Sequence, residues 1–338
     1  MASSPEIWND YRLYPYNNDP ILKRSYHGNY SVIDKWISLM GPLSKFHTRD
    51  SEFTSEDPFP VDYLVNRNVS VCSASTFLLM MFPIRIMDFE MRQVLRSTIP
   101  QNAIIREKRI NRVFVIALDD NDRESILRIR NESSVYGDII ISRHPDSYSR
   151  IAKSVWDALL WAREHCTGAR FVGKFDPDAV FFMGNLVSYL ERAPTKHFFG
   201  GRRNTFTLRP RGKSHTKYEF PNDYPYKRKV DYVGGPAAIF SMDVVDYLVV
   251  GAAYEPVFIS NSDDIMYGAL LNRLGIHPTV VNSKCTLLVI HNGTHGKYKD
   301  YHILPKHVCV YHHIKMLNEY KEALQYFGKR INSSLSFC

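Results

Sequence analysis

From residue 71 onward, short runs of apolar residues alternate with segments in which apolar residues recur every three or four positions. Short apolar runs are typical of buried strands, and the wider spacing is typical of amphipathic helices. The pattern predicts, in chain order, a strand at 76–82, a helix at 88–99, a strand at 112–118, a helix at 123–137, a strand at 138–142, a helix at 149–166 and a strand at 169–175. This alternation predicts an α/β fold with a largely parallel central sheet flanked by helices.

The second half of the chain mixes the two patterns less regularly. It predicts strands at 198–204 and 235–241, helices at 242–253 and 264–275, and a strand followed by a terminal helix within 302–327. Residues 1–70 are rich in Tyr, Pro, Asn and Asp and have weak periodicity, which favours an irregular N-terminal stem or extension. We therefore expect one folded domain over residues 71–330, preceded by that extension.

Two carboxylates, Asp176 and Asp178, directly follow the fourth predicted strand and are separated by Pro177. Ligands of open α/β sheets bind beyond the carboxyl ends of the strands. Two hard oxygen donors one residue apart can approach a single point, which suits Mg²⁺ or Mn²⁺ with positions left open for phosphate oxygens. The alternative is a capped turn, because Asp and Pro both favour turns.

Three further features each have two interpretations. Asp263 and Asp264 precede a predicted helix, where they could stabilise its first turn or supply a general base. Gly234 and Gly235 precede an apolar strand, where they could form a tight turn or let the backbone come close to a sugar or phosphate. His312 precedes the terminal helix, either as a polar surface residue or as a metal ligand.

Composition narrows the class of protein. The chain has 338 residues, 44% of them hydrophobic and 23% charged, which suits a sizeable core and argues against disorder. The net charge of +8 suits an anionic partner. No dense Lys/Arg block or continuous basic stripe is evident, so we expect no nucleic-acid partner. The most apolar stretch, residues 71–84, is shorter than the roughly 18 to 20 residues of a membrane span, and no signal peptide is visible at the N-terminus.

Cysteines and glycosylation sequons point to a secretory lumen. The five cysteines have no C-x-x-C spacing, so a zinc site is not expected, while one or two disulfides with a spare thiol are possible. The sequence does not determine their pairing. The chain also has five N-x-[ST] sequons, which begin at Asn29, Asn68, Asn131, Asn292 and Asn332. Chance is the alternative explanation for their number.

Six stretches, in this order, resemble the motifs of one enzyme family. They are DFEMRQVLRSTI, YGDIIISRHPDSYSRIAK, WAREHCTGARFVGKFDPDAVFF, YPYKRKVDYVGGPAAIFS, DDIMYGALLNRLGI and YHHIKM. The chain resembles the β-1,3-galactosyltransferase-like group of glycosyltransferase family 31 over about residues 71 to 320. The resemblance implies a Rossmann-like, glycosyltransferase A-type fold, with residues 71–330 as the catalytic domain.

The resemblance also implies an activity and its participants. The enzyme would transfer a hexose or N-acetylhexosamine from a UDP-sugar to a glycan on a glycoprotein or glycolipid. The new linkage would be β-1,3, formed with inversion, and the location would be the Golgi. Mn²⁺ or Mg²⁺ would be held by Asp176, Asp178 and His312, and Asp264 would be the catalytic base. The pocket for the donor would be formed by Arg92, Arg96, Asp146, Tyr148, Lys153 and Lys174. The acceptor or sugar loop would be formed by Gly234, Gly235 and Asp263.

The chain departs from the family pattern at several positions. Pro177 replaces the middle acid of the acidic triplet, Asp263 replaces a glutamate, and Val233 replaces a cysteine. The family's membrane anchor is also not visible. These departures leave an alternative, a catalytically inactive sugar- or nucleotide-sugar-binding protein of the same fold. The transferase hypothesis requires Asp176, Asp178, Asp264 and His312 to surround one pocket.

Overall fold

The structure is a computed structural model. It describes residues 63–65, 71–118, 122–142, 144, 146–147, 151–207, 209–210, 219–220, 229–254, 263–273, 275–290, 306–312, 314, 316–328 and 331. Most of the predicted extension, residues 1–70, therefore lies outside the described residues, and its role stays a prediction. One strand, Tyr63–Val65, falls within it and pairs with the main sheet.

The described part of the chain alternates strands and helices. The strands are β1 Tyr63–Val65, β2 Thr76–Pro83, β3 Ala103–Ile105, β4 Lys108–Ala117, β5 Ile139–Ser142, β6 Phe171–Phe175, β7 Ala179–Phe181, β8 Phe199–Gly200, β9 Arg203–Thr207, β10 Arg209–Pro210, β11 Glu219–Phe220, β12 Lys229–Val233, β13 Ala237–Ser241, β14 Thr286–Ile290 and β15 Val308–His312. The helices are α1 Phe89–Thr98, α2 Arg123–Tyr136, α3 Ile151–His165, α4 Met183–Glu191, α5 Met242–Tyr254, α6 Asp263–Arg273 and α7 Leu317–Phe327.

The central sheet has the strand order β1-β5-β4-β2-β6-β13-β8, with β3 paired to β4. The four inner strands, β5, β4, β2 and β6, are mutually parallel, and β1, β3, β13 and β8 join them in antiparallel pairs. The predicted α/β class with a largely parallel central sheet is confirmed.

Side chains alternate between the two faces of this sheet, because successive residues of a strand point in opposite directions. In β4, Phe114 packs into one apolar cluster, whereas Val113 and Val115 pack into the other. Helices α1, α2, α4 and α7 contribute to the first cluster, and α3, α5 and α6 contribute to the second. The sheet is therefore covered on both faces, which explains its continuous apolar strands.

The order of the parallel strands creates a crevice. In chain order, β4 is added beside β2 and β5 beside β4, all on one side of β2. The next strand, β6, pairs with the other side of β2. Open α/β sheets bind ligands where the chain reverses its direction of progression in this way, beyond the carboxyl ends of the strands. Asp176 is the first residue after β6, so the fold places it at this edge.

A smaller sheet adjoins the same edge, with the order β14-β15-β7. Strand β7 begins at Ala179, directly after Asp178, and pairs antiparallel with β15. In this register His312 lies opposite Ala179. The pairing therefore brings His312, from near the end of the chain, next to the acidic motif.

The predicted elements were found with shifted ends, but the short strands β1, β3, β7, β10, β11, β12 and β14 were not predicted. The predicted strand at 198–204 is two short strands, because β8 pairs with β13 while β9 pairs with β12. Helix α4 was not predicted. All of its residues from Met183 to Leu190 are buried, so it lacks the polar face that gives an amphipathic helix its periodic pattern.

The cysteines divide into bonded and free residues. Cys72, before β2, forms a disulfide with Cys166, after α3, with a Cα–Cα distance of 5.2 Å. Cys285 is also disulfide-bonded, and Cys309 is a buried free thiol. Within the described residues, no helix combines the length and hydropathy that crossing a membrane requires.

Candidate active site

Three side chains that could hold a metal converge beyond the carboxyl end of β6. The Nε2 atom of His312 lies 3.0 Å from Asp178 Oδ1 and 3.6 Å from Asp176 Oδ2. One ligand atom from each residue can be chosen so that all three lie within 4.8 Å of one another. The hydrogen bond from the Ile314 amide to the Asp178 carbonyl, 3.0 Å long, anchors the chain after His312 to the same turn.

The donor set fits a divalent cation such as Mn²⁺. It combines two carboxylate oxygens, which suit Mg²⁺ and Mn²⁺, with an imidazole nitrogen, which is a ligand of first-row transition metals. All three side chains are half-buried. A cation held there would therefore keep coordination positions open toward the solvent side, as binding to a diphosphate requires.

Burial acts on one acid of this cluster, Asp176. It raises the pKa of Asp176; Lys174 opposes that effect, and the negative charge of Asp178 adds to it. The pKa of Asp176 is therefore above its ordinary value of 3.8. Two carboxylates this close repel each other when both are ionised. Bound positive charge would relieve that repulsion, which is a second reason why the cluster suits a cation.

Lys174 lies beneath the cluster and has only 2% of its surface exposed. Its ammonium nitrogen is 2.6 Å from Asp176 Oδ1, 3.1 Å from Asp263 Oδ2 and 3.0 Å from the Gly235 carbonyl oxygen. Burial acts to lower the pKa of Lys174, but the two carboxylates outweigh it and raise the pKa. An ammonium group has three donors, and three acceptors surround this one. Lys174 therefore links the end of β6, the loop before β13 and the start of α6.

The two acids at the start of α6 have different surroundings. Asp263 is 5% exposed and points inward, where its Oδ2 also accepts a hydrogen bond from the Tyr267 hydroxyl at 2.8 Å. Asp264 is half-buried, and its Oδ1 accepts a hydrogen bond from the Ile265 amide at 2.9 Å. Asp263 thus fixes the helix, while the Asp264 carboxylate lies beside Gly235.

Gly235 occupies the middle of the site. A Cβ atom at this position would lie 3.7 Å from Asp176 Oδ2, 3.8 Å from Lys174 Nζ and 3.9 Å from Asp264 Oδ2. The loop is held there by a 3.1 Å hydrogen bond from the Asp176 amide to the Pro236 carbonyl. The absence of a side chain leaves space beside the two carboxylates. Asp176 and Asp264 therefore both lie beside Gly235, with Asp178 and His312 next to Asp176, and a pocket shared by all four stays a prediction.

Gly234 belongs to the same loop but faces a different neighbour. Its amide donates a 2.8 Å hydrogen bond to the Arg202 carbonyl. A Cβ atom there would lie 3.0 Å from the side-chain nitrogen of Asn204. Gly234 therefore joins the loop to the β8–β9 connection, and its sugar-binding role stays a prediction.

Arg92 and Arg96 lie in a buried ion-pair network between α1, α2 and β4. Arg92 donates to both oxygens of Glu132, at 2.8 and 2.7 Å. Arg96 donates to both oxygens of Asp138, at 2.9 and 2.8 Å, and also pairs with Glu132. Arg112 pairs with Asp138 as well. The network joins the layers of the fold, and the donor-binding role of Arg92 and Arg96 stays a prediction.

The remaining predicted donor residues lie around β5 and α3. Lys153 pairs within α3 with Asp157, at 2.5 Å, and Asp157 also accepts a hydrogen bond from the Ser142 hydroxyl. Asp146 is exposed, and Tyr148 lies outside the described residues. Their contact with a donor likewise stays a prediction.

Tyr267 is a residue of the site that sequence reasoning missed. It is fully buried, and burial, together with Asp263, raises its pKa well above the ordinary value of 10.0. Its hydroxyl is therefore a stable donor to Asp263. The signal in the sequence was the i, i+4 spacing of Asp263 and Tyr267, which places both residues on one face of a helix.

Comparisons with known proteins show which sequences this chain is similar to. The sequence profile described as "Galactosyltransferase" matches residues 90–282, more than half of the chain. Mouse β-1,3-galactosyltransferase 1 is 25% identical over 229 residues, which are 66% of this chain and 68% of the mouse protein.

Two further relatives transfer other sugars, according to their names. Rat UDP-GalNAc:β-1,3-N-acetylgalactosaminyltransferase 1 is 28% identical over 216 residues, covering 62% of this chain and 64% of the rat protein. Lactosylceramide 1,3-N-acetyl-β-D-glucosaminyltransferase A of Xenopus laevis is 26% identical over 282 residues, covering 79% of this chain and 69% of the relative. The profile match extends from α1 to the segment before β14 and thus includes the acidic motif, the Gly235 loop and α6. The chain therefore belongs to the galactosyltransferase family, and it is a hexosyltransferase.

Proposed function

We propose that the protein is a metal-dependent, inverting glycosyltransferase. It transfers a hexose or N-acetylhexosamine from a UDP-sugar to a hydroxyl of a glycan on a glycoprotein or glycolipid, in β-1,3 linkage. The observation that carries this proposal is the position of Gly235, beside Asp176 and Asp264 and above Lys174, next to the Asp176, Asp178 and His312 cluster.

The names of the relatives support the linkage and leave the sugar open. All three relatives are named for 1,3 transfer, but they are named for galactose, N-acetylgalactosamine and N-acetylglucosamine, respectively. Residues that select among these sugars differ within one fold. We therefore assign the donor as a UDP-hexose or UDP-N-acetylhexosamine.

Asp264 acts as the general base in this proposal. Its carboxylate removes the proton from the acceptor hydroxyl while that oxygen attacks the anomeric carbon. The bond between the anomeric carbon and the diphosphate oxygen breaks as UDP leaves, and the configuration inverts. Asp176, Asp178 and His312 would hold Mn²⁺ or Mg²⁺, which when bound neutralises charge on the diphosphate. Lys174 keeps Asp176, Asp263 and the Gly235 loop in a fixed relation.

The proposed location is the lumen of the Golgi. The disulfide between Cys72 and Cys166 supports an oxidising compartment, because disulfides are rare in the cytosol. The partners of the proposed reaction are the UDP-sugar and a luminal glycan, and no nucleic acid takes part in it.

Release of UDP from a panel of UDP-sugars tests the proposal. The wild-type protein and Asp264→Asn are assayed with Mn²⁺ and a pool of β-galactoside and N-acetylhexosaminide acceptors. Loss of a general base lowers the rate by about 10²–10⁴-fold. The matched control is Asp243→Asn, which alters another acid in the first turn of a helix. The Asp243 carboxylate accepts hydrogen bonds from the Ser241 hydroxyl and the His197 amide.

The expected result is turnover of one donor by the wild type and by Asp243→Asn, with Asp264→Asn inactive but still able to bind UDP. Equal turnover by Asp264→Asn would exclude its role as the base. If every donor fails while UDP with Mn²⁺ binds, the protein is a nucleotide-sugar-binding descendant of the fold. If UDP does not bind at all, the proposal is wrong.

A further inference from the structure

An exposed apolar groove of about 510 Å³ lies between α1 and α2. Four apolar side chains on its walls are open to solvent: Met87 is 75% exposed, Phe89 46%, Val135 73% and Tyr136 44%. Contiguous apolar surface of this kind usually has an occupant.

One residue on the wall of this groove points to an occupant. Asn131 lines the groove, its side chain is exposed, and it begins the sequon Asn131-Glu132-Ser133. The other sequons begin outside the described residues. A glycan on Asn131 would start within the groove, so its proximal sugars would need no change in the backbone to contact the exposed walls.

The two aromatic walls are suited to contact with sugar rings. The guanidinium group of Arg96 lies 3.8 Å from the centre of the Tyr136 ring, and that of Arg92 lies 5.7 Å from the centre of the Phe89 ring. Both arginines are fixed by the ion-pair network below the groove. The rings are thus supported from beneath, and an apolar C–H face of a sugar can pack on them with little further loss of side-chain freedom.

We propose that Asn131 is an N-glycosylation site and that the proximal sugars of its glycan cover the groove between α1 and α2. The side-chain amide nitrogen of Asn131 replaces the diphosphate at the anomeric carbon of a polyisoprenyl-diphosphate-linked oligosaccharide. A C–N bond forms, the C–O bond to the diphosphate breaks, and the nitrogen loses one proton. This inference rests on the luminal location within the proposed function, but not on the transferase chemistry.

The proposal also implies when this modification occurs. In the folded protein Ser133 is 4% exposed and Glu132 is paired with Arg92 and Arg96. A glycosylating enzyme must reach the asparagine and the serine of a sequon together. Attachment therefore precedes the packing of α2 against α1, during synthesis of the chain.

The test expresses the full chain with an added secretion leader in animal cells. The protein is treated with a glycan-releasing amidase in ¹⁸O water, which converts a formerly glycosylated asparagine to ¹⁸O-labelled aspartate. Trypsin cleavage after Arg130 yields a peptide that begins at position 131, and its mass is read directly. Ser133→Ala destroys the sequon, whereas Ser134→Ala, at the neighbouring exposed serine, leaves it intact and serves as the matched control.

The expected result is ¹⁸O-labelled aspartate at position 131 in the wild type and in Ser134→Ala, and unlabelled Asn131 in Ser133→Ala. The glycan-free variant should also bind more of an apolar fluorescent dye, and Met87→Ser should reverse that increase. An unlabelled Asn131 peptide in the secreted wild type would overturn the site, whether or not other sequons are labelled. Equal dye binding with and without the glycan would overturn its position over the groove. Neither readout depends on transferase activity, so failure of the proposed reaction would be seen separately.

Discussion

Replacing Lys174 by methionine tests whether this ammonium group holds the candidate site together. Methionine keeps much of the side-chain length but has neither the charge nor the donors. In the structure the ammonium nitrogen has acceptors on three separate segments, at 2.6, 3.1 and 3.0 Å. Its removal should therefore affect both the stability of the fold and the geometry of the pocket.

The size of the effect follows from the burial of its partners. Asp263 is 5% exposed, and without Lys174 its carboxylate keeps the Tyr267 hydroxyl but loses its cation. Breaking a buried ion pair by removing one partner costs about 3–5 kcal/mol, because the remaining charge is left uncompensated. The side chain of Asp176 is 23% exposed, so water solvates it better and it adds less. We expect Lys174→Met to lower the free energy of unfolding by about 3–5 kcal/mol.

Urea denaturation with a metal chelator present measures this difference. The matched control is Lys321→Met, because Lys321 pairs with Glu90 at 3.7 Å while the two side chains are 48% and 74% exposed, respectively. Removing an exposed pair changes the free energy of unfolding by about 0–1 kcal/mol. A large loss of unfolding free energy for Lys174→Met beside a small loss for Lys321→Met would isolate the effect of burial, because the substitution is the same.

A double-mutant cycle with Asp263→Asn completes the experiment. If the two side chains act as a pair, the loss in the double variant should be smaller than the sum of the two single losses. A loss below about 1 kcal/mol for Lys174→Met, within the range of an exposed pair, would refute the reasoning. Additive losses would show that Lys174 and Asp263 do not depend on each other.

Two further predictions concern the site and the ion-pair network. Gly235→Ala should leave the midpoint of thermal unfolding nearly unchanged, because the new methyl group meets its neighbours at 3.7 Å or more. The same methyl group should abolish UDP release by filling the pocket. An active variant would show that substrate does not approach this loop. Burial acts to raise the pKa of Asp138, but Arg96 and Arg112 outweigh it and hold the pKa below 3.8. Stability from this carboxylate is therefore present above the pKa of the unfolded chain and is lost as the pH falls through the lower folded value. Asp138→Asn should be less stable by about 3–5 kcal/mol at neutral pH, and its urea midpoint should fall less than that of the wild type below about pH 4; parallel pH profiles would contradict this assignment.

The elements that were predicted correctly have a local signal in the sequence. Helix α1 begins and ends within one residue of the predicted bounds. Its apolar and polar positions alternate with the period of a helix, which is a local signal. Helix α4 was missed because it is buried on all sides, so the contrast between faces is absent. The split between β8 and β9 was also missed, since the two strands pair with different partners, β13 and β12. Strand pairing depends on residues far apart in the chain.

The candidate site divides in the same way. The sequence indicated Asp176, Asp178, Asp264 and His312 as a set, and the structure brings them to one edge of the sheet. The resemblance assigned Asp264 as the base and Asp263 to the acceptor or sugar loop, but nothing in the sequence indicated that Asp263 is buried. Only the packing of α6 shows that Asp263 faces the core.

The sequence by itself determined the α/β class, the order of the main elements and the acids at the carboxyl end of β6. These features depend on residues within a few positions of one another, whose spacing is written directly in the chain. The tertiary structure alone decided that β7 pairs with β15 and so brings His312 to Asp178. It also decided that Lys174 faces three acceptors. Such contacts arise when distant segments are packed around one core, and their register is fixed by the sum of many contacts rather than by any local pattern.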